Sequence, residues 1–428
     1  MKPVDKLRAG ARRIDVWVAF VLVHAVVGWI CLGLPGTGVG EYAIGLPLGD
    51  VTLVYRPWVE QALGGGPVVG IDSSWVYPIA AIVPMLAAMG FGADAYGHVW
   101  LVLVTVANAA AFAVLLGRGT SRRREAAAWW WLAFIALLGP IALARIDSIT
   151  VPIAVVALLL VSKHPFVAGV LLALATWMKV WPAALIGALL VASRSRLAIL
   201  LAGAATSAGI AVVVVVLGGG EYLFGFVTEQ TGRGLQIEAP VATPYLWLAA
   251  ADVPGSFIYY DDQILTFQVT GPGVAAAALV MTPLLGVAVA GTVFAGVLAS
   301  RNGASVVRLL PSFALALVLV LITFNKVGSP QFQTWLVAPV IVGLVYRGRA
   351  FATPAVTVLV LAALTQVVYP YLYVGLLSAE PAMVAVLSVR NVIFFAVLGW
   401  ALFDIARAGQ SSLRARSSRS TLAVSSPE

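Results

Sequence analysis

Ile14-Asp-Val-Trp-Val-Ala-Phe-Val-Leu-Val-His24-Ala-Val-Val-Gly-Trp-Ile-Cys31-Leu-Gly-Leu34 is followed by Leu46-Pro-Leu-Gly-Asp50-Val-Thr-Leu-Val-Tyr55-Arg56-Pro57-Trp58-Val-Glu60. The first run is long enough to cross a bilayer, and Arg12 and Arg13 stand directly before it. It lacks a short apolar core with a small-residue cleavage site, so it reads as a retained anchor and not as a signal peptide. The second stretch places a carboxylate, Asp50, just outside that span. In a chain that is 61% hydrophobic and 10% charged, a carboxylate beside an apolar span asks for a reason.

Outward from these two stretches, the whole chain is apolar. A mean hydropathy of +1.00 over 428 residues is more than a soluble core can bury, so lipid is the solvent. Apolar runs at about 14–35, 98–117, 126–143, 148–162, 165–178, 180–193, 197–217, 272–299, 308–324, 334–346, 352–374 and 383–406 predict an all-α integral membrane protein of about twelve transmembrane helices. Several are short for lone lipid-facing spans, and neighbouring helices must cover them. With the N-terminus inside, the inner loops collect twenty of the 26 basic residues, as the positive-inside rule requires, and both termini are cytoplasmic. The net charge of +8 reflects that placement and points to no nucleic-acid partner. The one cysteine, Cys31, can form no internal disulfide.

Trp75–Met89 is also apolar, but a crossing there would put Arg122, Arg123 and Arg124 outside. Tyr77, Pro78 and Pro84 interrupt it, so it reads as a juxtamembrane or re-entrant helix within an outer loop of about 36–97. A second outer segment, 218–271, is too long for a bare connector and should fold over the membrane face. Residues 1–408 then form a single membrane domain, and the Ser/Arg-rich stretch 409–428 is expected to be a disordered cytoplasmic tail.

Six basic residues remain for the outer side: Arg56, Arg145, Lys179, Arg233, Lys326 and Arg390. Ionisable groups at membrane depth are costly and mark functional sites, and cations there suit a phosphate. Structural roles compete: Arg145 can pair with Asp147 at a helix end, Lys179 and Lys326 can snorkel, and Arg233 can be a loop charge. Pro182 after Lys179, Ser329-Pro330-Gln331 after Lys326, and Asn391 beside Arg390 favour polar, structured surroundings. Asp50 stands apart, because a carboxylate at the apolar boundary can serve as a general base. Asp50, Val54 and Trp58 share one helical face; a helix N-cap is the competing role for Asp50, and the two do not exclude each other. Glu41, Glu60 and Asp72 are alternative carboxylates. No Walker motif, dinucleotide-type glycine pattern or Cys/His metal spacing occurs, so neither a cofactor nor a metal is expected. Trp58, Trp75, Tyr77, Trp177, Trp181, Tyr245 and Trp247 suit a sugar-stacking surface or an interfacial belt equally well.

The order Asp50-Val-Thr-Leu-Val-Tyr55, Trp75-Val-Tyr77-Pro78, Lys179 with Pro182, Gly234-Leu-Gln236-Ile-Glu238 with Pro244, and Asn325-Lys326 through Ser329-Pro330-Gln331 resembles glycosyltransferase family 87. The resemblance extends to about residue 346; Ile79 stands where the family often has a second proline. It implies a GT-C-like helical bundle and an inverting enzyme. Such an enzyme moves a sugar, typically mannose, from a polyprenyl-phosphate donor to a glycolipid, lipoglycan or other glycan acceptor. The work would be done on the extracytoplasmic face of the plasma membrane. Asp50 falls where the family has its base. Tyr55, Arg56, Tyr77, Arg145, Asp147, Lys179, Arg233, Gln236, Glu238, Lys326, Gln331 and Arg390 are the candidate substrate-binding residues. An arabinofuranosyltransferase of the same fold is the alternative within enzymes, and a lipid or sugar transporter or flippase the alternative outside them.

Overall fold

Hydropathy dictates helices in lipid, where every backbone N–H and C=O must be satisfied within the segment. The computed structural model describes residues 3–33, 46–119, 121–229, 232–262 and 264–424. Glu41 and residues 36–45 of the first outer loop lie outside the described residues.

Helix α1 (Pro3–Cys31) is the first span. The Asp50 stretch opens as a π-helical turn, Asp50–Tyr55, that continues into α2 (Arg56–Leu63), where Pro57 sits in the first turn and its missing N–H costs nothing. Short α3 (Ile82–Ala88) leads to α4 (Tyr96–Leu116), α5 (Arg122–Leu138), α6 (Asp147–Leu160), α7 (Pro165–Met178), α8 (Ala183–Ala192) and α9 (Arg196–Val216). The outer segment 218–271 holds α10 (Gly225–Thr228), β1 (Leu235–Gln236), α11 (Thr243–Ala250), β2 (Phe257–Asp261) and β3 (Thr266–Thr270). There follow α12 (Val274–Arg301), α13 (Val306–Thr323), α14 (Val337–Arg347), α15 (Ala352–Gln366), α16 (Tyr373–Leu377) and α17 (Pro381–Val424).

Each of the twelve apolar runs falls on one of α1, α4–α9, α12–α15 and α17. The chain is an all-α membrane protein, with eight helical stretches long and apolar enough to cross a bilayer among the described residues. One of these, Pro330–Tyr371, spans both α14 and α15. Helices α6, α7 and α8 are only 14, 14 and 10 residues long. Trp75–Met89 resolves into a short helical stretch, Ile79–Phe91, between aromatic turns. Two differences from the sequence expectation stand out. A three-stranded antiparallel sheet, ordered β1-β3-β2, forms in segment 218–271, favoured by the aromatic and β-branched run Phe257–Tyr260. The backbone is also helical to Val424, where a disordered tail from residue 409 is predicted. An existing helix propagates at little cost, and Leu413, Arg414, Ala415 and Arg416 are good helix formers.

Helix α13 is the centre of the bundle: 78% of its span is buried, against 6% for α12 and 17% for α9, which turn broad apolar faces outward. Close approach depends on small residues, as expected where lipid offers no contrast to an apolar contact. A side chain at Gly169 on α7 would come within 2.8 Å of the Ile199 carbonyl on α9, and one at Gly296 on α12 would strike the Phe313 ring at 2.5 Å. Helix ends on one face are capped by arginines. Arg13 donates to the Leu116 carbonyl at 2.8 Å, Arg124 to the Leu115 carbonyl at 2.8 Å, and Arg123 to the Tyr346 carbonyl at 2.8 Å. Segment 218–271 has its own apolar cluster, in which Leu235, Ile237, Leu246 and Val269 pack against Val368, Val384 and Leu387. This seats the sheet on the ends of α15 and α17.

Candidate active site

The Asp50 turn, the α7–α8 corner, the sheet segment and the loop between α13 and α14 converge on one cavity of about 560 Å³. Asp50, Val54 and Trp58 all line it, as their shared helical face predicts. Asp50 is not a helix cap: the N-cap position is Gly49, and the Asp50 carboxylate instead meets Arg145, with Oδ2 3.1 Å from Nε. Asp50 is 37% exposed and Arg145 only 4%. The Arg145 guanidinium also donates to the carbonyls of Pro47 at 2.7 Å and Ala144 at 2.6 Å, and to the Tyr369 hydroxyl at 3.0 Å; Tyr369 in turn donates to the Leu46 carbonyl at 3.3 Å. One cation therefore pins the whole 46–50 segment to the α5–α6 junction. The pairing of Arg145 with Asp147 that the sequence allows does not form.

Asp147 is fully buried behind the cavity. It accepts from Trp335 Nε1 at 2.6 Å, and Lys179 Nζ lies 4.0 Å from its other oxygen. Trp335 stacks on Trp181 at 5.9 Å with planes 8° apart, and Trp181 donates to Thr150 at 3.0 Å. Both indoles line the cavity with their orientation fixed from behind. Lys179, where α7 ends and the chain turns extended before Pro182, stands over the Tyr77 ring at 4.5 Å from its centre.

Lys326 is placed by the sheet. The Gln236 N–H donates to the Lys326 carbonyl at 3.0 Å, and the Gly328 N–H donates to Gln236 Oε1 at 3.2 Å. At Gly328 any Cβ would collide with the backbone nitrogen of Ala239, so only glycine lets the two segments touch. Burial and the neighbouring Arg233 guanidinium lower the pKa of the Lys326 ammonium, and burial lowers that of Arg233.

Asp50, Tyr55, Tyr77, Lys179, Arg233, Gln236, Lys326 and Gln331 thus share one cavity. Five candidates do not line it. Arg145 holds the Asp50 carboxylate without lining the cavity itself. Arg56 pairs with Glu60 at 3.6 Å along its own helix. Asp147 lies behind the indoles. Glu238 and Arg390, each 2% exposed, form a buried pair at 2.7 Å, and Arg390 also donates to the Glu238 carbonyl at 2.7 Å. That pair ties the segment after β1 to α17, and burial raises the pKa of the Glu238 carboxyl against the pull of Arg390. Trp335 and Tyr369, central to the site, sit inside apolar runs and carry no sequence signal beyond their type. Of the outer aromatics, Trp58, Tyr77 and Trp181 line the cavity. Trp75 is buried behind it, Trp177 packs on Phe224 and Phe226, and Trp247 donates to Ser388 on α17. Among the described residues, no three His, Cys, Asp or Glu side chains gather as a metal-binding group.

Residues 75–281 match the family model of glycosyltransferase family 87. The matched stretch contains Tyr77, Lys179, Arg233 and Gln236 from the cavity; Asp50 precedes it and Lys326 follows it. No curated protein matches the chain.

Proposed function

We propose that this chain, a family 87 membrane glycosyltransferase by its residues 75–281, transfers a hexose, most simply mannose, from a polyprenyl-phosphate sugar to a glycolipid or glycan acceptor. What carries the reading is the cavity's charge pattern: one accessible carboxylate, Asp50, among the cations Lys179, Arg233 and Lys326. In this mechanism Asp50 takes the proton of the acceptor hydroxyl as its oxygen attacks the anomeric carbon. The bond from that carbon to the phosphate oxygen breaks, and the polyprenyl phosphate leaves with the electron pair and the opposite face substituted. Lys179, Arg233 and Lys326 stabilise the charge that develops on the leaving phosphate. Arg145 fixes the carboxylate from its buried side. The stacked Trp181 and Trp335 offer the sugar ring an apolar floor.

The reading assigns a GT-C-like bundle with the cavity on the extracytoplasmic face of the plasma membrane and both termini cytoplasmic, supported by the distribution of basic residues over the loops. The test is product analysis of the purified protein given a synthetic lipid-phosphate mannose and candidate acceptors. A glycosylated product with inverted anomeric configuration is expected. Flux of the lipid across vesicles without any product would replace the reading by transport, and transfer only from an arabinofuranosyl donor would change the sugar.

A further inference from the structure

A second cavity, of about 280 Å³, is lined by Arg308 on α13, Arg347 on α14, and Trp400, Asp404 and Arg407 on α17. Arg308 is in the first turn of α13, and Lys326 follows its last turn. The 18 residues of α13 span about 27 Å at 1.5 Å per residue, close to the thickness of a bilayer's hydrocarbon core. The two cavities therefore open at opposite membrane faces.

The second cavity is organised from within. Arg347 donates to both oxygens of Asp404, at 2.9 Å to Oδ1, and to the Ser312 hydroxyl at 3.0 Å; Ser312 donates to Asp404 at 2.5 Å. This half-buried network holds Arg347 rigid, and the exposed Arg308 and Arg407 flank it. Three guanidiniums against one carboxylate leave a surplus of two positive charges. Arg13, Arg123 and Arg124 on this face differ, since they cap helix-end carbonyls. Around the second cavity three arginines line one void. Guanidinium forks match phosphate oxygens, and the half-buried Trp400 ring supplies an apolar wall at headgroup depth.

We propose that this cavity binds the phosphodiester headgroup of an anionic phospholipid, with Arg308 and Arg407 gripping the phosphate and the acyl chains running into the bilayer. Free phosphate shares the chemistry, but the position at a span's end, beside Trp400, favours a lipid source. The site is distinct from the glycosyltransferase cavity and does not depend on its assignment.

The full-length protein is purified in detergent with equal amounts of phosphatidylglycerol and phosphatidylcholine, and retained lipids are counted by native mass spectrometry. The parent should retain phosphatidylglycerol preferentially. Arg308→Gln/Arg407→Gln should lower that retention about tenfold or more, as loss of charge-assisted contacts implies, while Arg308→Lys/Arg407→Lys keeps part of it. Lys326→Gln, in the other cavity, should leave it unchanged. Equal retention of the two lipids by the parent, or unchanged phosphatidylglycerol retention in the Gln variant, would overturn the site. Should inorganic phosphate raise the melting temperature of the parent but not of the Gln variant, with no lipid retained, a free anion and not a lipid would be the ligand, and the lipid assignment would fail. The Lys variant, monodisperse and charge-preserving, separates loss of the site from loss of the fold.

Discussion

Asp50 Oδ2 lies 3.1 Å from Arg145 Nε, and the same guanidinium grips the Pro47 carbonyl and the Tyr369 hydroxyl. The contact fixes the carboxylate's orientation, so Arg145 acts on the reaction through the placement of Asp50. Asp50→Asn should lower transfer by a factor on the order of 10²–10⁴, the usual worth of a general base. Arg145→Gln should lower kcat while donor affinity changes little. The double variant should be hardly slower than Asp50→Asn alone, because both act through one group. Strictly additive losses in that cycle would show that Arg145 acts on the substrate directly.

Lys326 predicts a pH limit. Its pKa lies below that of an ordinary lysine, so its charge is lost at a lower pH on the alkaline side. Donor phosphate binding should therefore be full below that pKa and weaken as pH rises through it. In Lys326→Arg, which stays charged, the weakening should move to higher pH. Donor titrations across pH give the answer, and identical alkaline limbs for parent and variant would remove Lys326 from the phosphate site.

The Glu238–Arg390 pair predicts a stability effect with no role in substrate contact. Arg390→Met leaves a buried carboxylate without its partner and should destabilise the protein by about 3–5 kcal/mol. Glu238→Gln/Arg390→Met should recover much of that loss, since the uncompensated charge is gone. Thermal unfolding in detergent measures both. A double variant as unstable as the single one would mean that packing, and not charge, dominates there.

The threading predicts accessibility. A cysteine replacing Ala93 should react with an impermeant thiol reagent outside intact cells, and one replacing Ser121 should not. The reverse pattern would invert the faces assigned to both cavities.

The spans were legible because hydropathy is a property of composition: each of twelve apolar runs lies on a helix. The small sheet was not, since β1 is two residues long and its pairing with Leu235↔Val269 needs a loop closed elsewhere. Among the cations, sequence marked which ones were costly but not what neutralises them. Lys179, Arg233 and Lys326 meet in one cavity, whereas Arg390 finds Glu238 far away in the chain. Asp147 shows the same limit: its partner Trp335 stands at the start of an apolar run and carries no charge to mark it. A charge that needs a partner looks the same in sequence whether that partner is a side chain or a ligand.

The contrast between α12 and α13 has a mechanical consequence. Met281, Thr282 and Leu285 of α12, together with Leu321 of α13, wall the larger cavity. Pushing α13 aside would expose the core of the bundle, at about 25 cal/mol for each Å² of apolar surface uncovered to water. Most of the surface of α12 already faces outward, and in a bilayer lipid tails replace lost contacts with equally apolar ones. Of these two walls of the cavity, the α12 side is thus the easier to open. A substrate with a long hydrocarbon tail can part that wall sideways while the rigid core holds Asp50 and its arginine in register.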